Sequence, residues 1–119
     1  MYTLTQAKEK MQKYVDYQNN IFLWNHDKVT NIIILDEFTE EKEFGWIFFW
    51  QEKDLTEDMS NFVVGNGPII IEKETLNMYA MMTALPVEDN VKIYLEDKNA
   101  LARLEIDEWG NFDVVNIDE

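Results

Sequence analysis

The chain has 119 residues and no cysteine, and its 24 acidic against 10 basic side chains leave a net charge of −14. That length fits one domain over residues 1–119 with its own core; the missing cysteine excludes a disulfide scaffold, a thiol nucleophile and any cysteine-bound metal. With 46% hydrophobic residues, 4 Gly and 2 Pro, a disordered or low-complexity chain is excluded as well. The charge is uneven, +1 over residues 1–30 and −15 over the rest. Such a field repels nucleic acid and anionic membrane and speeds encounter with basic partners, and it also serves plain solubility. No apolar run has transmembrane length, and the first residues lack the basic flank and apolar core of a signal peptide. A cytoplasmic protein is expected.

In chain order, Thr3 to Gln18 reads as an amphipathic helix. Thr3 with Gln6 fits a capping box, and Ala7, Met11, Tyr14, Val15 and Gln18 form one stripe, expected to pack on a sheet. Asn19-Asn20 is a natural stop. Ile21 to Asp27 is too apolar for an exposed loop and too short to assign. His26 is the single histidine, with no catalytic or ligand partner at recognisable spacing, and is expected at the surface. Val29 to Phe38 reads as a strand centred on Ile32–Leu35. Thr39 to Glu43 reads as a charged hairpin loop.

Phe44 to Gln51 is apolar without strict alternation, so both faces of this strand should be covered. One face would meet the helices, the other the tail or a second copy of the chain. Glu52 to Phe62 is an acidic connector. Its carboxylates match no EF-hand spacing, so a solvated loop is expected, with a landing site for a basic partner as the functional alternative. Gly65-Asn66-Gly67 reads as a tight turn, Pro68 as a strand start, and Ile69–Ile71 as a buried strand. Glu74 to Asn77 turns the chain, and Met78 to Met82 pairs back.

After Thr83-Ala84-Leu85-Pro86 a helix runs from Val87 to Lys98, with Pro86 at its start and Glu88 and Asp89 in its first turn. Val87, Val91, Tyr94 and Leu95 form its expected apolar stripe. In the tail, Leu104–Asp107 alternates, Trp109-Gly110-Asn111 can turn, and Phe112–Ile117 favours a strand, giving a second hairpin. The expected fold class is α+β: an antiparallel sheet of about four to six strands packed against an N-terminal helix and a second helix after the central hairpin.

The segment "FGWIFFWQ" followed by "GNGPIIIEKETLNMYAMMTALPVEDNVKIY" resembles the YrhB-like family of bacterial immunity proteins, which are paired with polymorphic toxins. The pieces that carry the resemblance are Gly45-Trp46, Gly65-Asn66-Gly67-Pro68, Glu72-Lys73 and Leu85-Pro86, roughly within residues 44 to 98. The family usually has Thr-Gly in the hairpin turn where this chain has Thr75-Leu76. It often has Gly before the closing Thr, where Met82 precedes Thr83. A different turn geometry is thus open.

The resemblance implies a non-enzymatic protein that binds a cognate toxin and occludes its active site, with no catalytic residue, cofactor or metal. Nucleic acid and membrane are not expected partners, and a homodimer is an open alternative. The acidic residues proposed to meet a basic toxin are Glu40, Glu41 and Glu43, with Asp54, Glu57 and Asp58 in the connector. Two rivals stand beside it: a homo-oligomeric or chaperone-like protein using exposed apolar strand surface, and a carboxylate-based enzyme with a concave pocket of perturbed acids.

Overall fold

The structure, a computed structural model, describes residues 1–25, 31–54, 57 and 67–116. It is α+β, as the sequence pattern implies. Helix α1 (Leu4–Asn25) opens the chain. A hairpin follows from β1 (Ile32–Ile34), a 3-10 turn (Asp36–Phe38), β2 (Glu40–Lys42), β3 (Gly45–Phe48) and β4 (Trp50–Glu52). The central hairpin is β5 (Ile69–Glu72) and β6 (Met78–Ala80), then come α2 (Val87–Asp97) and the terminal hairpin β7 (Ala102–Ile106) and β8 (Phe112–Val114). Among the described residues the main sheet is antiparallel in the order β2-β3-β5-β6-β7-β8, with β1-β4 as a two-stranded extension.

The sheet is sandwiched. On one face Ala7, Met11, Tyr14 and Val15 of α1 meet Trp46, Phe48, Trp50, Ile69 and Ile71. On the other, Tyr94 of α2 closes over Ile47, Ile70 and Tyr79. Ile69, Ile70 and Ile71 are all fully buried, which a strand with one open face could not achieve; each contributes roughly 2 kcal/mol of burial. The expectation that both faces of Phe44–Gln51 are covered therefore holds. The cover is one helix on each side; the tail instead extends the sheet edge. Gly45 is required by the close approach of β3 to β5: a Cβ there would lie 2.1 Å from the Ile71 carbonyl oxygen.

Several boundaries move, each for a physical reason. The capping box at Thr3 and Gln6 forms, but α1 continues through Asn19-Asn20 to Asn25. Asn19 stays helical because its side chain pairs with an outward backbone edge. Its Nδ2 donates to the Ile32 carbonyl at 3.0 Å and its Oδ1 accepts from the Ile32 N–H at 2.7 Å. Within the expected strand 29–38 only Ile32–Ile34 is extended among the described residues. The register shifts between Ile34↔Trp50 and Glu40↔Ile47, and Asp36–Phe38 takes up the extra residues as a 3-10 turn. Glu40–Lys42 is an edge strand instead of a loop, with the turn at Glu43-Phe44; charged side chains are a normal protection for an exposed edge. The aromatic strand breaks at Phe49 into β3 and β4.

In α2, Leu95 is 65% exposed, so it does not belong to the buried stripe. Asn90 points inward instead, fully buried, and holds the 82–86 loop. It accepts from the Met82 N–H at 2.7 Å and donates to the carbonyls of Met82, Leu85 and Pro86. The α-helix ends at Asp97, and Lys98 opens a 3-10 turn. Leu76 in the β5–β6 turn has φ +61°, the left-handed conformation. His26, Val63, Gly65, Asn66, Asp58 and Ile117 lie outside the described residues.

Candidate functional site

Among the described residues Glu72, at the end of β5 on the α2 face, is a buried carboxylate with several side-chain partners. A carboxylate buried there must be met by donors, and three arrive. The Tyr94 hydroxyl donates to Oε2, the Lys98 ammonium donates to the same oxygen at 3.1 Å, and the Thr75 hydroxyl donates to Oε1 at 2.7 Å. Burial alone pushes the Glu72 carboxyl up, but hydrogen bonds from Tyr94, Thr75 and Lys98 outweigh it and hold it below its ordinary value. Burial and then the neighbouring carboxylate push the Tyr94 phenol strongly up. Phe44 packs 4.6 Å from the Tyr94 ring and Tyr79 5.5 Å from it, which closes the cluster. A general acid would need a raised carboxyl pKa and room for substrate; Glu72 has neither a raised pKa nor a spare oxygen. Its arrangement ties α2 to the central hairpin.

The proposed contact acids fall elsewhere. Glu40 and Glu41 lie on edge strand β2 and each meets a lysine, Lys42 at 3.6 Å and Lys73 at 2.9 Å. Lys73 also stands 5.5 Å over the Trp46 ring. Glu43 is exposed in the β2–β3 turn, while Asp54 is exposed just past β4. These two ends are separated by the length of β3–β4, on the order of 20 Å at ~3.3 Å per residue. Glu57 is exposed, and Asp58 lies outside the described residues. Among the described residues the first trio thus sits at one end of β3–β4 and Asp54 at the other. Among the described residues no group of three or more His, Cys, Asp or Glu side chains could hold a metal, and no helix is long and apolar enough to cross a membrane.

An open groove of about 530 Å³ lies between α1 and the β7–β8 turn, lined among others by Lys13, Asp16, Tyr17, Ile106, Glu108 and Trp109. Lys13, Asp16, Tyr17 and Asn20 reach it from α1 at helical spacing, beside the buried stripe. A second hollow of about 260 Å³ shares Lys13 and Ile106 and runs to Leu76. There the Lys10 ammonium donates to the Leu76 carbonyl at 2.7 Å. Burial lowers the Lys10 pKa, Glu105 opposes it and Lys13 adds to it.

Neither the Glu72 cluster nor the groove was among the sequence candidates, although both left a trace. Tyr94 and Lys98 are four apart within the helix expected over Val87 to Lys98, the spacing of a shared face, and Glu72 is an acid abutting three isoleucines. Trp109 beside Gly110 marks an indole on a turn. Compared with protein-family models, with curated proteins and with solved structures, the chain gives no match.

Proposed function

We propose that this chain is a bacterial immunity protein that binds a cognate toxin and occludes its active site, working as a non-enzymatic binding module in the cytoplasm. One observation supports this reading above the others. Leu76 occupies the position where the resembled family carries Gly in the hairpin turn, and Leu76 holds φ +61°. Left-handed backbone costs a residue with a Cβ roughly 1 kcal/mol and costs Gly nothing. The chain keeps a glycine's geometry without the glycine. At that position the sequence departs from the family pattern in residue type while holding a backbone conformation that Gly favours, and Met82 before Thr83 is a second departure.

The surrounding pieces fit the same pattern. Gly45-Trp46 starts β3, Ile69–Glu72 is β5 with Glu72-Lys73 at its end, and α2 starts directly after Pro86. A net charge of −14 favours a basic partner surface. The homo-oligomeric alternative rests on apolar strand surface, and α1 and α2 cover that of β3, β5 and β6.

The test is co-expression of the chain with the product of the gene adjacent to its own. The expected result is a stoichiometric complex with a protein that arrests growth when expressed alone. A neighbouring product that is harmless alone, or that is toxic and neither bound nor neutralised, overturns the proposal.

A further inference from the structure

The geometry points to the groove between α1 and the β7–β8 turn as the docking site for an arginine-bearing segment of a protein partner, with a guanidinium stacked on Trp109. This rests on the reading of the chain as a protein-binding module and names a surface and a partner chemistry for it. The first support is Trp109 itself. The residue is 79% exposed, whereas Trp46 and Trp50 are 3% and 5% exposed in the core. An indole left in water serves no packing purpose, and tryptophan is the residue most enriched among interface anchors.

The turn that presents it is fixed. Asp107 Oδ1 accepts from the Trp109 N–H at 2.8 Å and from the Asn111 N–H at 2.9 Å, and Gly110 takes the left-handed φ of +86°. The turn backbone therefore needs little further ordering when a partner binds.

The second support is the space beside it. About 530 Å³ lies within the range of ligand-binding clefts. Ile106, together with Tyr17, which packs on Phe112 at 5.7 Å, offers apolar wall to an aliphatic stem. The adjoining hollow of about 260 Å³ lengthens the path, so a short extended segment fits better than an isolated side chain.

Charge selects the occupant. Asp16, Asp107 and Glu108 line the groove against Lys13, and none of the four forms an ion pair with another described residue. Oδ1 of Asp16 accepts from Gln12 at 2.9 Å and Oδ1 of Asp107 holds the turn, which leaves the second oxygen of each for a partner. Arginine suits this wall better than lysine, because its flat, weakly hydrated guanidinium stacks on an indole and still hydrogen-bonds carboxylates at its edge. A nucleic acid or a second copy of this chain, itself at −14, would bring like charge.

The test is a titration of the isotope-labelled full chain, followed by NMR, with the peptide acetyl-Gly-Arg-Gly-Arg-Gly-amide and with its citrulline counterpart, which keeps the shape and removes the charge. Saturable shifts are expected at the Trp109 indole N–H and the amides of Asp107–Asn111. Binding of the citrulline peptide, and of the arginine peptide to Trp109→Ala, should be about ten-fold weaker. Asp16→Asn with Glu108→Gln should weaken it several-fold while the fold is unchanged. Shifts spread evenly over the acidic surface, shifts centred on Glu40–Glu43, or a titration indifferent to Trp109→Ala would overturn the inference. A toxin complex that forms equally well with Trp109→Ala would remove the groove and leave the immunity reading. The expected peptide titration without any toxic partner would remove the immunity reading and leave the groove.

Discussion

At Glu72 a carboxylate, a phenol, an ammonium and a hydroxyl converge and saturate one another; at Trp109 an indole, three carboxylates and an ammonium surround open space. Both sites bring aromatic and charged side chains together, and only the second leaves an exposed indole and, on Asp16 and Asp107, one carboxylate oxygen each beyond the one already bonded to Gln12 or to the turn. In the first, donors point at Glu72 from the β5–β6 turn, from α2 and from the 3-10 turn that follows α2, so the cluster acts as a clasp between the hairpin and the end of the helix. In the second, the hydrogen bonds of Asp107 serve only to hold the turn, and the indole projects from it. Convergence of ionisable residues alone thus does not mark a site; what decides is whether the groups already have partners.

The largest effect is expected at the clasp. Tyr94→Phe removes one donor from a buried carboxylate and should lower the unfolding free energy by about 2–3 kcal/mol, measured in urea. Lys98, whose side chain is 47% exposed, cannot fill the gap alone. The pH dependence has a definite sign. Glu72 is held below its ordinary value, so its contribution is complete above about pH 4.5 and is lost as pH falls through the lower folded value. Glu72→Gln has no such contribution. Between pH 6 and pH 3 the parent should therefore lose more stability than Glu72→Gln, a comparison that cancels the chain's other acids. Equal losses would mean that the clasp is not charged.

A smaller effect is expected at the turn between the two sites. Leu76→Ala keeps the left-handed strain and loses packing, whereas Leu76→Gly loses the same packing and relieves the strain. Gly should be the more stable of the two by about 1 kcal/mol, the reverse of the usual order. A more stable Ala variant would show that Leu76 carries no backbone strain.

Much of the frame was legible because it depends on local pattern. The stripe Ala7, Met11, Tyr14, Val15 named the buried face of α1, the Thr3–Gln6 box its start, and Pro86 the start of α2. What escaped depends on partners distant in sequence. Asn19-Asn20 looks like a stop until Ile32 is placed beside Asn19. Leu95 fits the helical period as well as Tyr94 does, but the buried position went to Asn90, whose four hydrogen bonds exist only once the 82–86 loop has folded back. Glu40–Lys42 has the composition of a turn and became a strand because β3 lay next to it. The groove was illegible for the same reason: α1 and the β7–β8 turn stand some ninety residues apart, and each by itself reads as a solvated surface.

The most direct measurement of this division is the urea unfolding of Trp109→Ala set against the parent protein. If Trp109 is held out for a partner, its loss should change the unfolding free energy by no more than about 0.5 kcal/mol, the ordinary range for a surface substitution. A fall of about 2 kcal/mol or more would make Trp109 part of the folded frame and contradict the account of the groove as surface kept for binding.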